Sequence, residues 1–521
     1  MVPLPNRTDP APARWRRPFE LWFDAADRGW PLAVFLGLFL VVWSLVLIVA
    51  YHGLGLNPDV VEIYALSKDL AWGYAKHPPL PSWIMAAWMA VFPFADWPPY
   101  LLAILNAALG LYFVDRIARR YLRGDRRLLL LLLLVFVPGY HFLAAVFNHN
   151  IVLLWLWPLA TWCFLRSFET RRASWAVAAG ATAALALLGK YYSAILLVSF
   201  AITALVHRDR RAYLRSPAPW VSAIVGAVVL MPNIVWLLKA GAIPLNYAIE
   251  AHVVPSRWTS LRFAGEFVAG ALGYAVLPVA IWLAATATAT SPRRALALIF
   301  SGMSAERQLL LILGIMTLSL PPIVAVLIGT NMPPLWALPG VFLPVLFIVS
   351  APGFTLTRAR AVNVAALTVV FALVAILGSP FHAWLESQRR DDRHRIYARP
   401  AAGELERLWR KVTDRPMLTV TGEYELAWAA SYYVTWHPDF VASYDARRGG
   451  GNPIPATIPS AGWAGLCAAE SLGCIAWTTQ LAATVPRARR EEFTVTPAGW
   501  GWTATPGRMI AVIVPPSGAA D

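Results

Sequence analysis

Two carboxylates and a histidine open the chemical reading. The stretch Asn57–Trp83, NPDVVEIYALSKDLAWGYAKHPPLPSW, follows a long apolar run and carries Asp59, Glu62 and His77. Asp59 and Glu62 are three positions apart, so a helix there sets both acids on one face. His77 precedes Pro78 and Pro79, and each proline fixes its own φ and biases its predecessor toward extended geometry. A stiffened histidine beside two acids suits acid–base work, and it equally suits an ordinary solvated loop. Lys190, in GKYYS between two apolar segments, is costly at membrane depth unless it faces a cavity or a partner. Snorkelling toward headgroups is the competing account. Asn148, His149 and Asn150 precede a further apolar run, and His252, Arg257 and Arg262 lie within Lys239–Arg262. Cations at such positions are suited to a phosphate. Asp59, Glu62, His77 and His149 also offer ligand types to a divalent metal, but no spacing resembles a zinc signature, so no cofactor is expected.

The elements that must position these groups are membrane helices. The chain has 521 residues, 58% hydrophobic and 14% charged, against roughly 25% charged in soluble domains. Lipid, not water, must solvate most of its surface. A net charge of +15 could suggest nucleic acid, yet the basic residues cluster in short loops between apolar runs, which is how a cytoplasmic leaflet retains its loops. The expected spans are Pro31–Tyr51, Pro99–Asp115, Leu128–Ala144, Ile151–Leu165, Trp175–Gly189 and Ser193–Val206. They continue with Val221–Leu238, Ala264–Ala285, Leu309–Ile328, Leu335–Ser350 and Ala361–Leu377. This predicts an all-α polytopic membrane protein of about eleven helices. Arg14, Arg16 and Arg17 precede the first span, and basic clusters such as Arg116–Arg127 and Arg208–Arg215 follow the even-numbered ones. The N-terminus is therefore expected in the cytoplasm. Pro81–Pro93, with Trp83 and Trp88, reads as an interfacial helix and not a span.

The organisation predicted is a cytoplasmic segment 1–30, a transmembrane region 31–380 with its informative outer loop at 52–98, and an outer-side α/β domain 381–521. In that tail, Met417–Gly422, Phe440–Tyr444 and Met509–Val514 read as strands, Tyr424–Thr435 as an amphipathic helix and Arg447–Pro455 as a Gly-rich loop. Cys467 and Cys474 could close a short loop there, which requires an oxidising compartment. Cys163, alone in an apolar run, is expected to pack.

The first outer loop resembles a known one. Asp59-x-x-Glu62-x-Tyr64, Gly73-Tyr74 and His77-Pro78-Pro79-Leu80 are similar to the first periplasmic loop of the GT-C glycosyltransferases. The groups it is nearest to are the protein O-mannosyltransferase-like family and the lipid A aminoarabinose or galacturonic acid transferases. Phe147-Asn148-x-Asn150, Lys190-Tyr191 and Tyr424-x-x-Ala427 follow in similar order. The resemblance implies an inverting transferase at the periplasmic face of a bacterial inner membrane, using a polyprenyl-phosphate sugar and an envelope acceptor: lipid A, another glycolipid or a polysaccharide before protein. It implies Asp59 as catalytic base with Glu62 as second acid. Lys190 and His77 would hold the donor phosphate, joined on chemistry and location alone by Arg257 and Arg262, and Tyr64, Tyr74, Tyr191, Asn148, His149 and Asn150 would contact substrate. The chain departs from the family where Val60 follows Asp59 in place of an adjacent acid, and where Asn150 replaces an acidic residue.

Two rival classes are a transporter or lipid flippase and a structural subunit. Transporters show charges within spans and internal repeats; here polar groups gather in outer loops and no clear repeat is seen.

Overall fold

The structure, a computed structural model, describes residues 14–286, 291–388, 395–443, 461–483 and 487–516. The predicted Gly-rich loop Arg447–Pro455 lies outside the described residues.

An amphipathic helix α1 (Arg17–Asp24) precedes α2 (Trp30–Ala50). The excursion from the membrane contains α3 (Pro58–Ser67) and α4 (Leu80–Met89), the second on the segment expected to be interfacial. Then follow α5 (Trp97–Ala118), α6 (Gly124–Leu134), α7 (Leu153–Thr170), α8 (Ala173–Gly189) and α9 (Ala194–Val206). A short α10 (Arg210–Leu214) leads to α11 (Ala218–Lys239), α12 (Ile243–Glu250) and α13 (Arg257–Thr286). The helical region closes with α14 (Pro292–Ile299), α15 (Ala305–Ile328), α16 (Phe342–Val349) and α17 (Arg358–Ser387).

Each of the predicted spans contains helix, because apolar chain in lipid must satisfy its own backbone polar groups. Among the described residues, however, six helices, or seven counting one bent pair, and not eleven, are long and apolar enough to cross a membrane. By length and composition, α2, α5, α11, α13, α15 and α17 can each cross a bilayer. The Leu128–Ala144 segment is bent by 80° between α6 and the turns from Pro138 to Ala145. Pro138 cannot continue the α6 ladder, so the chain breaks there. Leu335–Ser350 divides likewise into a 3-10 run, Pro334–Gly340, and α16.

The bundle has two chemically distinct ends. At one, Arg358 pairs with Asp24 at 2.8 Å and Asp125 at 2.7 Å, and Arg126 donates to the Ala351 carbonyl at 3.1 Å. There too the His207 ring meets the Ala305 carbonyl at 3.0 Å and Arg360 donates to that of Ala285 at 3.3 Å. These contacts gather the basic loops after α5, α9, α13 and α16 onto one side. The loops after α2, α8 and α11 lie at the other.

The C-terminal elements begin with α18 (Arg395–Arg410), then β1 (Thr419–Gly422), α19 (Tyr424–Tyr433) and β2 (Asp439–Ser443). They continue with β3 (Trp463–Ala468), α20 (Leu472–Ala482), β4 (Arg489–Val495), β5 (Ala498–Gly499), β6 (Trp502–Thr503) and β7 (Gly507–Val514). The sheet order is β2-β1-β3-β7-β4, parallel across β2-β1-β3 and antiparallel beyond. The fold is thus mostly helical with a small mixed sheet near the C-terminus, as the sequence indicated. Strands β3, β4, β5 and β6 are additional to the predicted ones. α19 is buried on nearly all sides and not one-sidedly amphipathic, because it is wedged between α18, the sheet and α3. Cys467 on β3 and Cys474 on α20 are joined as a disulfide, and Cys163 is buried within α7.

Candidate active site

Asn57 and Pro58 fix where α3 starts. The proline occupies the first turn, where its missing N–H costs nothing, and the Asn57 side chain accepts from the Asp59 N–H at 3.0 Å. One turn of helix then carries Asp59 to Glu62 on the same face, and both line a cavity of about 770 Å³. That volume is in the range that holds a small ligand's reactive part.

Asp59 is oriented by Asn148, whose Nδ2 donates to Asp59 Oδ2 at 3.0 Å. Asn148 Oδ1 is occupied by the Asn150 and Ile151 N–H groups at 2.9 and 3.1 Å, which leaves its amino end to face the carboxylate. Asp59 therefore sits as an acceptor with its geometry set from a second helix entrance.

Glu62 pairs with Lys76 at 2.8 Å, both side chains nearly enclosed. The Lys76 ammonium also lies 4.8 Å from the Trp428 ring, 5.2 Å from Tyr424 and 5.9 Å from Tyr247. Burial raises the Glu62 carboxyl above the ordinary glutamate range; Lys76 opposes this, and Asp59 and Glu425 add to it.

His77 and His149 stack with ring centres 3.9 Å apart. Burial holds His77 well below the usual histidine value, reinforced by His149, Lys190 and Lys76. Burial likewise takes His149 down to about 3, with Lys190 and Lys76 adding to the effect. Both shifts favour the neutral ring, which sets His77 apart from Lys190 as a holder of negative charge.

Lys190 stands where α8 ends, in extended backbone before the turn Tyr191–Ser193. Its ammonium donates to Asn150 Oδ1 at 2.5 Å and lies 3.6 Å from the Trp336 ring centre. Burial lowers it to about 7, partly opposed by Asp59. Asn148 and Asn150 thus bridge the Asp59 and Lys190 sides of the cavity.

The cavity gathers Asp59, Glu62, His77, Asn148, His149, Asn150, Lys190 and Tyr191 from the predicted set. It does not gather four others. Arg257 and Arg262 lie exposed on α13, where Arg262 turns to Glu266 at 2.9 Å, one helical turn on. Tyr64 points away from the cavity and packs edge-on against Phe94 and Tyr432. Tyr74 is buried with its hydroxyl donating to the Asp69 carbonyl at 2.5 Å, and so braces the loop. Lys76, Trp336 and Trp428 are cavity residues the sequence reading passed over. Lys76 had one available signal, its place beside His77 in the proline-stiffened loop. Among the described residues, no three His, Cys, Asp or Glu side chains are grouped to hold a metal ion.

Residues 76–236 match the family described as dolichyl-phosphate-mannose-protein mannosyltransferase. No curated protein sequence matches the chain. Among solved structures, ArnT from Cupriavidus metallidurans bound to undecaprenyl phosphate aligns with a TM-score of 0.56 at 15% identity, over 93% of this chain and 98% of that one. The same protein in its apo state aligns with a TM-score of 0.56 at 15% identity, over 94% and 98%. Identity that low speaks to architecture, and the near-complete coverage of both chains makes that architecture definite: this protein has the GT-C glycosyltransferase fold.

Proposed function

We propose that this protein is an inverting glycosyltransferase that moves a sugar from a polyprenyl-phosphate donor to a hydroxyl of an envelope acceptor at the periplasmic face of the inner membrane. The observation that carries the reading is the meeting of the Asp59 carboxylate and the Lys190 ammonium in one cavity at one end of a membrane bundle. The acceptor oxygen forms a bond to the anomeric carbon and passes its proton to Asp59. The carbon–oxygen bond to phosphate breaks opposite to the attack, so the configuration inverts. The bonding pair leaves on the phosphate, which goes from a diester to a monoester and gains negative charge. Lys190 stands to stabilise that charge in a water-poor site, where a fixed cation is worth more than in bulk water.

Two likenesses support the lipid donor. The matched family is described by a dolichyl-phosphate-mannose donor, and the ArnT structure holds undecaprenyl phosphate. For the acceptor we favour lipid A, another glycolipid or a polysaccharide over protein. Tyr424 and Trp428 offer flat apolar faces and Glu62 an acceptor oxygen, a combination suited to polyhydroxylated rings.

The test is Asp59→Asn, which keeps the hydrogen-bonding shape and removes the base. Transfer should fall by about 10²–10⁴-fold with the protein still folded and membrane-inserted. Mass spectrometry of envelope glycolipids and polysaccharide from cells carrying either form reads the outcome. Unchanged profiles in the variant would end the proposal.

A further inference from the structure

We propose that the β5–β6 hairpin, with Trp500 at its tip, is seated in the lipid headgroup layer beside the ends of α2 and α17. There it fixes the depth of the C-terminal elements over the cavity.

The hairpin is short, with Trp500 and Gly501 forming the turn between β5 and β6. Its two tryptophans do different things. Trp502 is buried with Leu54, Ile396 and Ala504. Trp500 is 64% exposed and stacks on His52, ring centres 4.3 Å apart. His52 follows the last turn of α2 by two residues, so the tip stands at the level where that helix ends. Gly53, with a φ of +78°, shows how closely the hairpin is applied: a Cβ there would come within 2.7 Å of the Ala498 carbonyl and 2.9 Å of Gly499 Cα.

The end of α17 reaches the same level. The His382 ring lies 3.3 Å from the Ala50 carbonyl and 5.2 Å, edge-on, from the Tyr51 ring. Around that point α17 exposes Leu377, Phe381, Trp384 and Leu385, and they continue its exposed stripe through Val370 and Val374. That stripe is the lipid-facing surface of a helix long and apolar enough to cross a bilayer. The occupant of the Trp500 face is therefore the same bilayer, at its boundary. An indole is favoured at that depth, apolar ring toward the chains and N–H toward water, whereas in bulk water it gains nothing from exposure.

The anchoring is independent of the proposed transfer reaction. The experiment is a nitroxide attached to Trp500→Cys in the full chain, reconstituted in vesicles of palmitoyl-oleoyl phosphatidylethanolamine and phosphatidylglycerol. The introduced thiol takes the label, since Cys163 is buried and Cys467 is bonded to Cys474. Collision with oxygen and with a water-soluble nickel chelate is compared at three sites. Val370→Cys reports a lipid-facing position, and Leu472→Cys on α20, 76% exposed, reports water. The expected result is an oxygen preference at position 500 on the lipid side of the Leu472→Cys value, at shallower depth than Val370→Cys. Ala498→Cys, which keeps the indole, repeats the measurement on the same hairpin. Values matching Leu472→Cys at both hairpin sites would overturn the proposal.

Discussion

At the scale of the residue, Lys190 carries a built-in pH dependence. Burial brings its ammonium down to about 7, and only the protonated form attracts a phosphate. Affinity for an anionic lipid should accordingly hold below that value and weaken by about tenfold per unit above it. A bound phosphate favours the charged lysine, so binding near neutrality should take up a proton. Burial moves His77 and His149 downward, away from this range. The measurement is the affinity of a polyprenyl phosphodiester, whose charge is constant from about pH 6 to about pH 9. Lys190→Met should lack the slope, and Lys190→Arg should retain binding to higher pH because a guanidinium stays charged. A flat profile in the unaltered protein would exclude this role for Lys190. The residue was legible in the sequence because a lysine between apolar segments has few inexpensive reasons to exist. Asp59 and Glu62 were legible because spacing alone decides which helix face they share. Lys76 was not, since a lysine in a loop reads as solvated until a partner such as Glu62 is seen. Arg257 and Arg262 lie apart from the cavity because loop position says nothing of direction, and α13 leaves both exposed.

At the scale of the element, the contact between α8 and α11 decides whether the Lys190 side of the cavity stays in place. Gly180 meets α11 so closely that a Cβ would collide with the Ser222 carbonyl, which is backbone and cannot swing aside. On the far side, α11 carries Asn233, whose Nδ2 donates to Tyr191 Oη at 3.1 Å and to the Trp72 carbonyl at 2.6 Å. Gly180→Leu should therefore cost about 1–3 kcal/mol and also displace Tyr191 from the cavity wall. Gly265→Leu on α13, where a Cβ meets open space, is the matched control and should be nearly neutral. Thermal aggregation midpoints in detergent read the difference, and equal midpoints would count against the packing argument. The helices were readable from apolar runs because lipid enforces backbone satisfaction within each run. Breaks inside the runs were passed over although they carry turn signals: Pro138-Gly139 marks the turn after α6, and Pro333-Pro334 and Pro339-Gly340 bracket the 3-10 stretch. β4 escaped because its first residues, Arg489 to Glu492, are exposed and charged at the edge of the sheet, and β3 because small residues such as Ala464 and Gly465 give no alternation.

At the scale of the whole molecule, the two ends of the bundle differ in charge and in chemistry, and one topology accounts for both. The loops bearing Arg126, His207, Arg358 and Arg360 contact one another at the end away from the cavity. Basic loops are as a rule retained in the cytoplasm, which supports the proposed placement of the cavity on the opposite side. Independently, the Cys467–Cys474 bond sits among the C-terminal elements whose α19 walls that cavity, and such a bond persists in an oxidising compartment. Two unrelated properties, loop charge and cysteine pairing, thus support the proposed placement of that face outside the cytoplasm. A lipid-linked donor would have to be presented in the outer leaflet for Lys190 to reach its phosphate. The prediction is that Leu472→Cys reacts with a membrane-impermeant maleimide in intact spheroplasts, whereas Arg210→Cys on α10 reacts only after permeabilisation. Both side chains are exposed, so access and not burial decides the labelling. The reverse pattern would place the cavity in the cytosol, where a paired Cys467 and Cys474 would be reduced and the loop charges would oppose insertion; neither the orientation nor the proposed site of transfer would survive it.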